Sequence, residues 1–169
     1  ALEGRIPLAR PEDAHDILGT YRIVSSTQEM ARTARSVDEY LQLLRSRHAV
    51  VLEGRPDRRP GQFKEVANEA GGLVFVDPSL VSGTLARGLE LAHTLTSAFA
   101  RAVFQMFVVS EVHPFDDGNG RIARAIGDLL LARADGSPQR FYSLSAQIQR
   151  ERKAYYDILE RTQKRSMDV

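Results

Sequence analysis

The chain has 169 residues, 43% of them apolar and 27% charged, which suits one domain with a sizeable core. Its 23 basic and 22 acidic residues are interspersed and leave a net charge of +1, so composition gives no reason to expect a nucleic-acid partner. The absence of cysteine excludes disulfides, thiolate metal sites and a thiol nucleophile.

The first twenty residues carry acids and prolines without an apolar run, and so do not read as a signal peptide. The longest apolar pattern, Phe99 to Val112, is short for a membrane span and is interrupted by Arg101, Gln105 and Ser110. A soluble cytoplasmic protein with no membrane partner is the expectation. An opening at Ala1, without Met, suits a fragment. One domain is expected over 1–169, with a core at about 36–164 and an N-terminal helical segment at 1–35.

Pro11 followed by Glu12 and Asp13 is a helix start, with Ala14, Ile17, Leu18, Tyr21 and Val24 at helical spacing behind it. After a polar stretch from Ser25 to Thr33, Ser36 and Glu39 form a capping-box pattern. It opens a helix whose stripe is Tyr40, Leu41, Leu44, His48 and Val51, running to Gly54. His48 reads as a packed histidine, not a catalyst. Residues 55–61, RPDRRPG, are a loop whose arginines read as solvated surface. Residues 65–77 read as a β-hairpin turning at Gly71-Gly72, with Leu73 to Val76 as its second strand. Asp77-Pro78 starts the next helical pattern, and a break is expected between Thr94 and Ser97. Beyond it Phe99, Val103, Met106, Phe107 and Val109 read as core. Pro114 ends that helix, because a residue before proline is pushed out of the α region. Arg121 to Ala134 reads as a buried central helix closed by Asp135-Gly136. A last helix begins near Ser143 or Ser145, with Ile148, Tyr155, Ile158 and Leu159 as its stripe. These patterns predict an all-α bundle carrying one β-hairpin.

The stretch His113 to Arg124, HPFDDGNGRIAR, stands apart chemically. An apolar helix delivers a histidine, two carboxylates follow at Asp116 and Asp117, and Gly118-Asn119-Gly120 makes a turn almost without side chains. Arg121 and Arg124 then fall in the first turn of a helix, where backbone N–H groups already carry partial positive charge. Two cations on one face of that turn cost stability unless an anion sits there, and phosphate is the usual one.

The stretch is similar to the signature of the Fic family, H-x-F-x-[DE]-G-N-G-R-x-x-R, at His113, Phe115, Asp117, Gly118, Asn119, Gly120, Arg121 and Arg124. The resemblance implies a protein adenylyltransferase that moves AMP from Mg-ATP to a Tyr, Thr or Ser hydroxyl of a target protein. It implies His113 as general base and Asp117 as the Mg²⁺ ligand. The ATP phosphates would be held by Gly118, Asn119 and Gly120, with the Asn119 amide as an added donor, and by Arg121 and Arg124. Phe115 would anchor the loop, and Asp116 would face solvent. Gly61-Gln62-Phe63-Lys64 resembles the segment G-x-[FY]-R that precedes the family's hairpin, with Lys in place of Arg. The hairpin itself would be a flap that clamps the target by strand addition.

Leu2-Glu3-Gly4 resembles the end of the family's regulatory motif, [ST]-x-x-x-E-[GN]. Glu3 would then pair with Arg124 and inhibit; Glu29, with Ser25 at the same spacing but Met30 following, is the weaker candidate. Rival readings are a de-AMPylating hydrolase on the same fold and a non-catalytic nucleotide-binding regulator, which would not need His113. Doc-type kinases usually carry Lys where Gly120 stands. The target protein is not legible, and homo-oligomer formation is left open.

Overall fold

The structure, a computed structural model, describes residues 11–136 and 143–166. Among them are eight α-helices: α1 (Pro11–Ser25), α2 (Thr27–Ala31), α3 (Val37–Val51), α4 (Val81–Thr94), α5 (Ala98–Val112), α6 (Asn119–Ala134), α7 (Leu144–Arg150) and α8 (Arg152–Ser166). A single antiparallel hairpin joins β1 (Glu69–Ala70) to β2 (Leu73–Val74). This is the expected all-α bundle with one hairpin. Gly71 and Gly72 both adopt positive φ, 60° and 80°, the conformation a two-residue hairpin turn requires.

Several boundaries are set by local hydrogen bonds legible in the sequence. Ser36 caps α3 by accepting the Glu39 N–H at 3.2 Å, while the Glu39 carboxylate returns to the Arg35 N–H, one residue earlier than a capping box predicts. Ser97 caps α5 in the same way, which places the break between α4 and α5 where it was expected. The last helix is in fact two, parted at Glu151, the C-cap of α7.

The core is built on the α5–α6 pair, against which α1, α3 and α4 also pack. Leu44, Val51, Leu85, Val109, Val112, Ile122, Ile126 and Leu129 fill it. Two expected stripes are rotated. In α5, Phe99 is 64% exposed and Val103 lies at the surface, while Ala102, Gln105, Val108 and Val112 face inward. That helix is apolar nearly all round, so spacing alone does not choose its face; Gly88 of α4 leaves room for Val108 against it. In α1, Ile17 is 52% exposed and Tyr21 also lies outward; Ala14 and Val24 of the expected stripe are buried, together with Asp16, Gly19 and Ile23. Gly19 decides this. A Cβ there would lie 2.4 Å from the Val50 carbonyl oxygen and 2.7 Å from Val51 Cα, so α1 meets α3 backbone to backbone at that point.

Candidate active site

The loop between α5 and α6 and the first turns of α6 hold the signature. α5 ends at Val112, and His113 follows in the left-handed region at φ 49°, ψ 57°, a conformation costing a non-glycine residue on the order of 1–2 kcal/mol. Its N–H still reaches the Val109 carbonyl, 3.1 Å away. His113 Nδ1–H donates to the Ser110 carbonyl at 3.1 Å, which leaves Nε2 as the ring's acceptor. Burial lowers the His113 pKa below the ordinary imidazole value, opposed by the Ser110 bond and reinforced by the nearby Lys64 charge. The ring is therefore neutral at neutral pH. Phe75, just beyond β2, stacks on it with centroids 3.8 Å apart and planes 8° from parallel.

Phe115 is fully buried and stacks on His48 at 3.7 Å. His48 is a packed histidine, as expected, and its ring nitrogens tie the 55–61 segment to the signature loop. Its Nδ1 accepts the Gly61 N–H at 2.9 Å, so Nε2–H donates to the Asp117 carbonyl at 3.0 Å. The desolvation of this ring, opposed by that bond and by the Asp117 and Asp116 charges, pushes its pKa down to about 4.

Asn119 departs from its expected role as a side-chain donor to phosphate. It is buried, its Oδ1 accepts the Phe115 N–H at 2.9 Å, and its Nδ2 donates to the Phe115 carbonyl at 2.7 Å. Its amide is a staple across the loop. What Asn119 and Gly120 offer an anion is backbone N–H, since the first amides of α6 have no acceptor within the helix. Gly118 precedes them at φ 75°, a value that favours glycine.

The two signature arginines part company. Arg124 lines a cavity of about 390 Å³ together with His113, Gly120, Ser110, Phe75 and Tyr155. Its Nε donates to Ser145 Oγ at 3.1 Å, and its guanidinium lies so close to Gly120 that a Cβ there would meet Nη1 at 3.0 Å. Arg121 turns instead to Asp16 of α1, with Nη2 2.8 Å from Oδ2, and Asp16 also takes Arg55 at 3.2 Å. Arg55 in turn pairs with Asp117 at 3.0 Å.

The arginines of residues 55–61 are thus not all solvated surface. Arg55 is mostly buried in this network, and Arg59 pairs with Glu65 and approaches Asp116 at 3.9 Å. Asp16 is completely buried, and its Oδ1 has no hydrogen-bond partner among the described residues. Sequence reasoning missed Asp16, Arg55, Ser145 and Tyr155. Each reaches the site from another element, and the one signal available was an acid at an inward position of an otherwise apolar helix face.

Asp117 keeps 34% of its side chain exposed, and its Oδ1 accepts the Gly118 N–H at 2.6 Å. Among the described residues no group of three or more ligating side chains gathers. A single accessible carboxylate fits Mg²⁺ carried on a nucleotide, which takes one or two carboxylates and keeps its phosphate and water ligands. Arg55 would share that carboxylate with the metal. Glu3 lies outside the described residues. Glu29, the other regulatory candidate, pairs with Arg32 at 2.7 Å and Arg47 at 3.1 Å.

One cavity of this helical bundle is thus lined by a neutral imidazole, the start of α6 and an arginine, an arrangement able to receive an anion. The family model for the Fic/DOC family matches residues 36–131, and the chain belongs to that family. It is 30% identical over 76 residues to a Fido domain-containing protein of Dictyostelium discoideum, an overlap of 42% of this chain and 53% of the relative. A Fic family protein from Desulfovibrio desulfuricans shares the fold with a TM-score of 0.77 at 18% identity, over 97% of this chain and 50% of that one. A Fic domain-containing signaling protein from Bacteroides thetaiotaomicron superposes with a TM-score of 0.64 at 22% identity, over 93% of this chain and 59% of the other. Fic-1 of C. elegans does so at 0.65 and 19%, over 96% and 46%. The chain spans about half the length of the relatives it matches. No helix among the described residues is long and apolar enough to cross a membrane.

Proposed function

We propose that the chain is a protein adenylyltransferase, moving AMP from Mg-ATP to a Tyr, Thr or Ser hydroxyl of a target protein. The observation that carries this reading is the tautomer of His113. Its Nδ1–H is committed to the Ser110 carbonyl, so Nε2 is unprotonated in a side chain that lines the same cavity as Gly120 and Arg124.

His113 Nε2 takes the proton of the target hydroxyl as that oxygen bonds to the α-phosphorus of ATP. The bond from the α-phosphorus to the bridging oxygen breaks, and pyrophosphate leaves. The Asn119 and Gly120 amides and Arg124 hold the phosphates in line. Such positioning and charge stabilisation supply most of the catalysis in transfers of this kind. Asp117 would hold Mg²⁺, which would supply charge neutralisation for the departing pyrophosphate. Arg121 joins this set when phosphate replaces Asp16 as its partner.

The hairpin's exposed edge would take the target as an added strand. The test is incubation with α-labelled ATP and a cell lysate, with His113→Ala as control. Label should enter protein with the wild type and not with the variant, which still binds ATP. Equal labelling by both would refute His113 as base, and labelling by γ-labelled ATP alone would replace AMP transfer by phosphotransfer.

A further inference from the structure

We propose that Lys64 and Asn68 are positioning residues for His113, capturing the four consecutive carbonyls that surround it and thereby fixing the turn that presents its imidazole to the cavity. This rests on the adenylyltransferase reading only for its activity readout.

The end of α5 leaves carbonyls without helical partners, and the loop to α6 has no strand or helix of its own to satisfy them. Two residues of the segment leading into the hairpin do so. Lys64 Nζ donates to the Val112 carbonyl at 3.2 Å, and the Lys64 backbone N–H donates to the Pro114 carbonyl at 2.8 Å. Asn68 Nδ2 donates to the His113 carbonyl at 3.2 Å and to the Phe115 carbonyl at 3.0 Å. The clamp is locked internally, since Lys64 Nζ also donates to Asn68 Oδ1 at 2.6 Å.

Lys64 is only 3% exposed, yet its ammonium contacts neutral oxygens and no carboxylate among the described residues. A buried cation so placed is stabilised by the negative end of α5. Asn68 reaches His113 by a further route. Its own carbonyl accepts the Phe75 N–H at 3.1 Å, and the Phe75 ring lies on the imidazole. One asparagine thus ties the backbone of His113 and the flap residue covering its ring to the same point. Because His113 is held at φ 49°, where a non-glycine residue is strained, losing the clamp lets the turn relax and moves the imidazole.

An ordinary loop staple would contribute stability and nothing more, and four variants separate the two roles. Asn68→Asp keeps size and the Lys64 contact but replaces both donated hydrogen bonds by repulsion between oxygens. Lys64→Met removes the ammonium, Lys64→Arg restores a cationic donor, and Asn68→Ser retains one shorter donor should Asn68→Asp fail to fold. For each folded variant, kcat and KM for ATP are measured with the α-labelled assay, and the His113 13Cα shift reports its backbone conformation.

Asn68→Asp and Lys64→Met should lower kcat by about ten- to a hundredfold, the loss a misplacement of about an ångström brings, with KM for ATP within about twofold. Asn68→Ser should fall in between, and Lys64→Arg should stay close to wild type. The His113 shift should leave its left-handed value in Asn68→Asp and Lys64→Met. A folded Asn68→Asp or Asn68→Ser with wild-type kcat, a loss carried by KM for ATP, or an unmoved His113 shift would overturn the proposal. A wild type that labels no protein counts against AMP transfer alone, because the His113 shift still decides the clamp.

Discussion

His48 makes the stability of the signature loop depend on pH, in a direction and size that follow from its bonds. Its Nδ1 accepts a hydrogen bond from Gly61, so a second ring proton can be added only by breaking that bond inside a fully buried site. The folded pKa of about 4 lies below the ordinary 6.5 of an imidazole in the unfolded chain. Between those values the unfolded state binds the extra proton and the folded state does not. The stabilisation is therefore complete above pH 6.5 and is lost as pH falls toward 4.

Linkage puts the loss from this group at about 2 kcal/mol by pH 5 and about 3 kcal/mol below pH 4. Other groups titrate in the same range, so the informative quantity is a difference. Urea unfolding of wild type and His48→Gln between pH 7.5 and 5 should show the variant less stable at pH 7.5 and the gap narrowing by about 2 kcal/mol at pH 5. Ring chemical shifts of His48 should show no titration above pH 5. A gap constant across that range, or a folded-state imidazole titrating near 6.5, would refute the reasoning.

Gly19→Ala should destabilise by at least about 2 kcal/mol in urea, because the added methyl meets α3 backbone, which cannot rotate away. Asp16→Ala should cost about 1–3 kcal/mol by the same measurement, since it removes one of the two carboxylate partners of Arg55 and leaves Arg121 only a long contact with Asp117. Asp117→Ala should weaken ATP binding about tenfold or more with Mg²⁺ present and little without it, as isothermal titration would read directly.

The sequence made the helices, their caps and the hairpin turn legible because these are set by neighbours within four residues, as at Ser36, Ser97 and Gly71-Gly72. It left the inward faces of α1 and α5 undecided. In α1 the face depends on Gly19, where α3 backbone comes close, and in α5 a nearly all-round apolar pattern does not choose a face. Within the site, the loop's own residues were recognisable from HPFDDGNGRIAR, but their division of labour was not. Asn119 closes on Phe115, and Arg121 turns to Asp16, because of partners at chain separations no local pattern spans. Lys64 was read only as part of the segment before the hairpin and Asn68 only as part of the hairpin, yet their side chains are spent on a loop more than forty residues away.

The Phe75 ring, lying parallel to the His113 imidazole, also restricts the direction from which a substrate can come. One face of the imidazole is roofed, and the lone pair on Nε2 points outward in the ring plane. On the adenylyltransferase proposal, an acceptor hydroxyl would therefore arrive edge-on, alongside Phe75, instead of descending onto the covered face. Long, slender side chains and rigid phenols meet that approach differently. Trimming Phe75 would widen the range of acceptable trajectories more than it would quicken any one of them, and the change would appear as relaxed discrimination among acceptor residues.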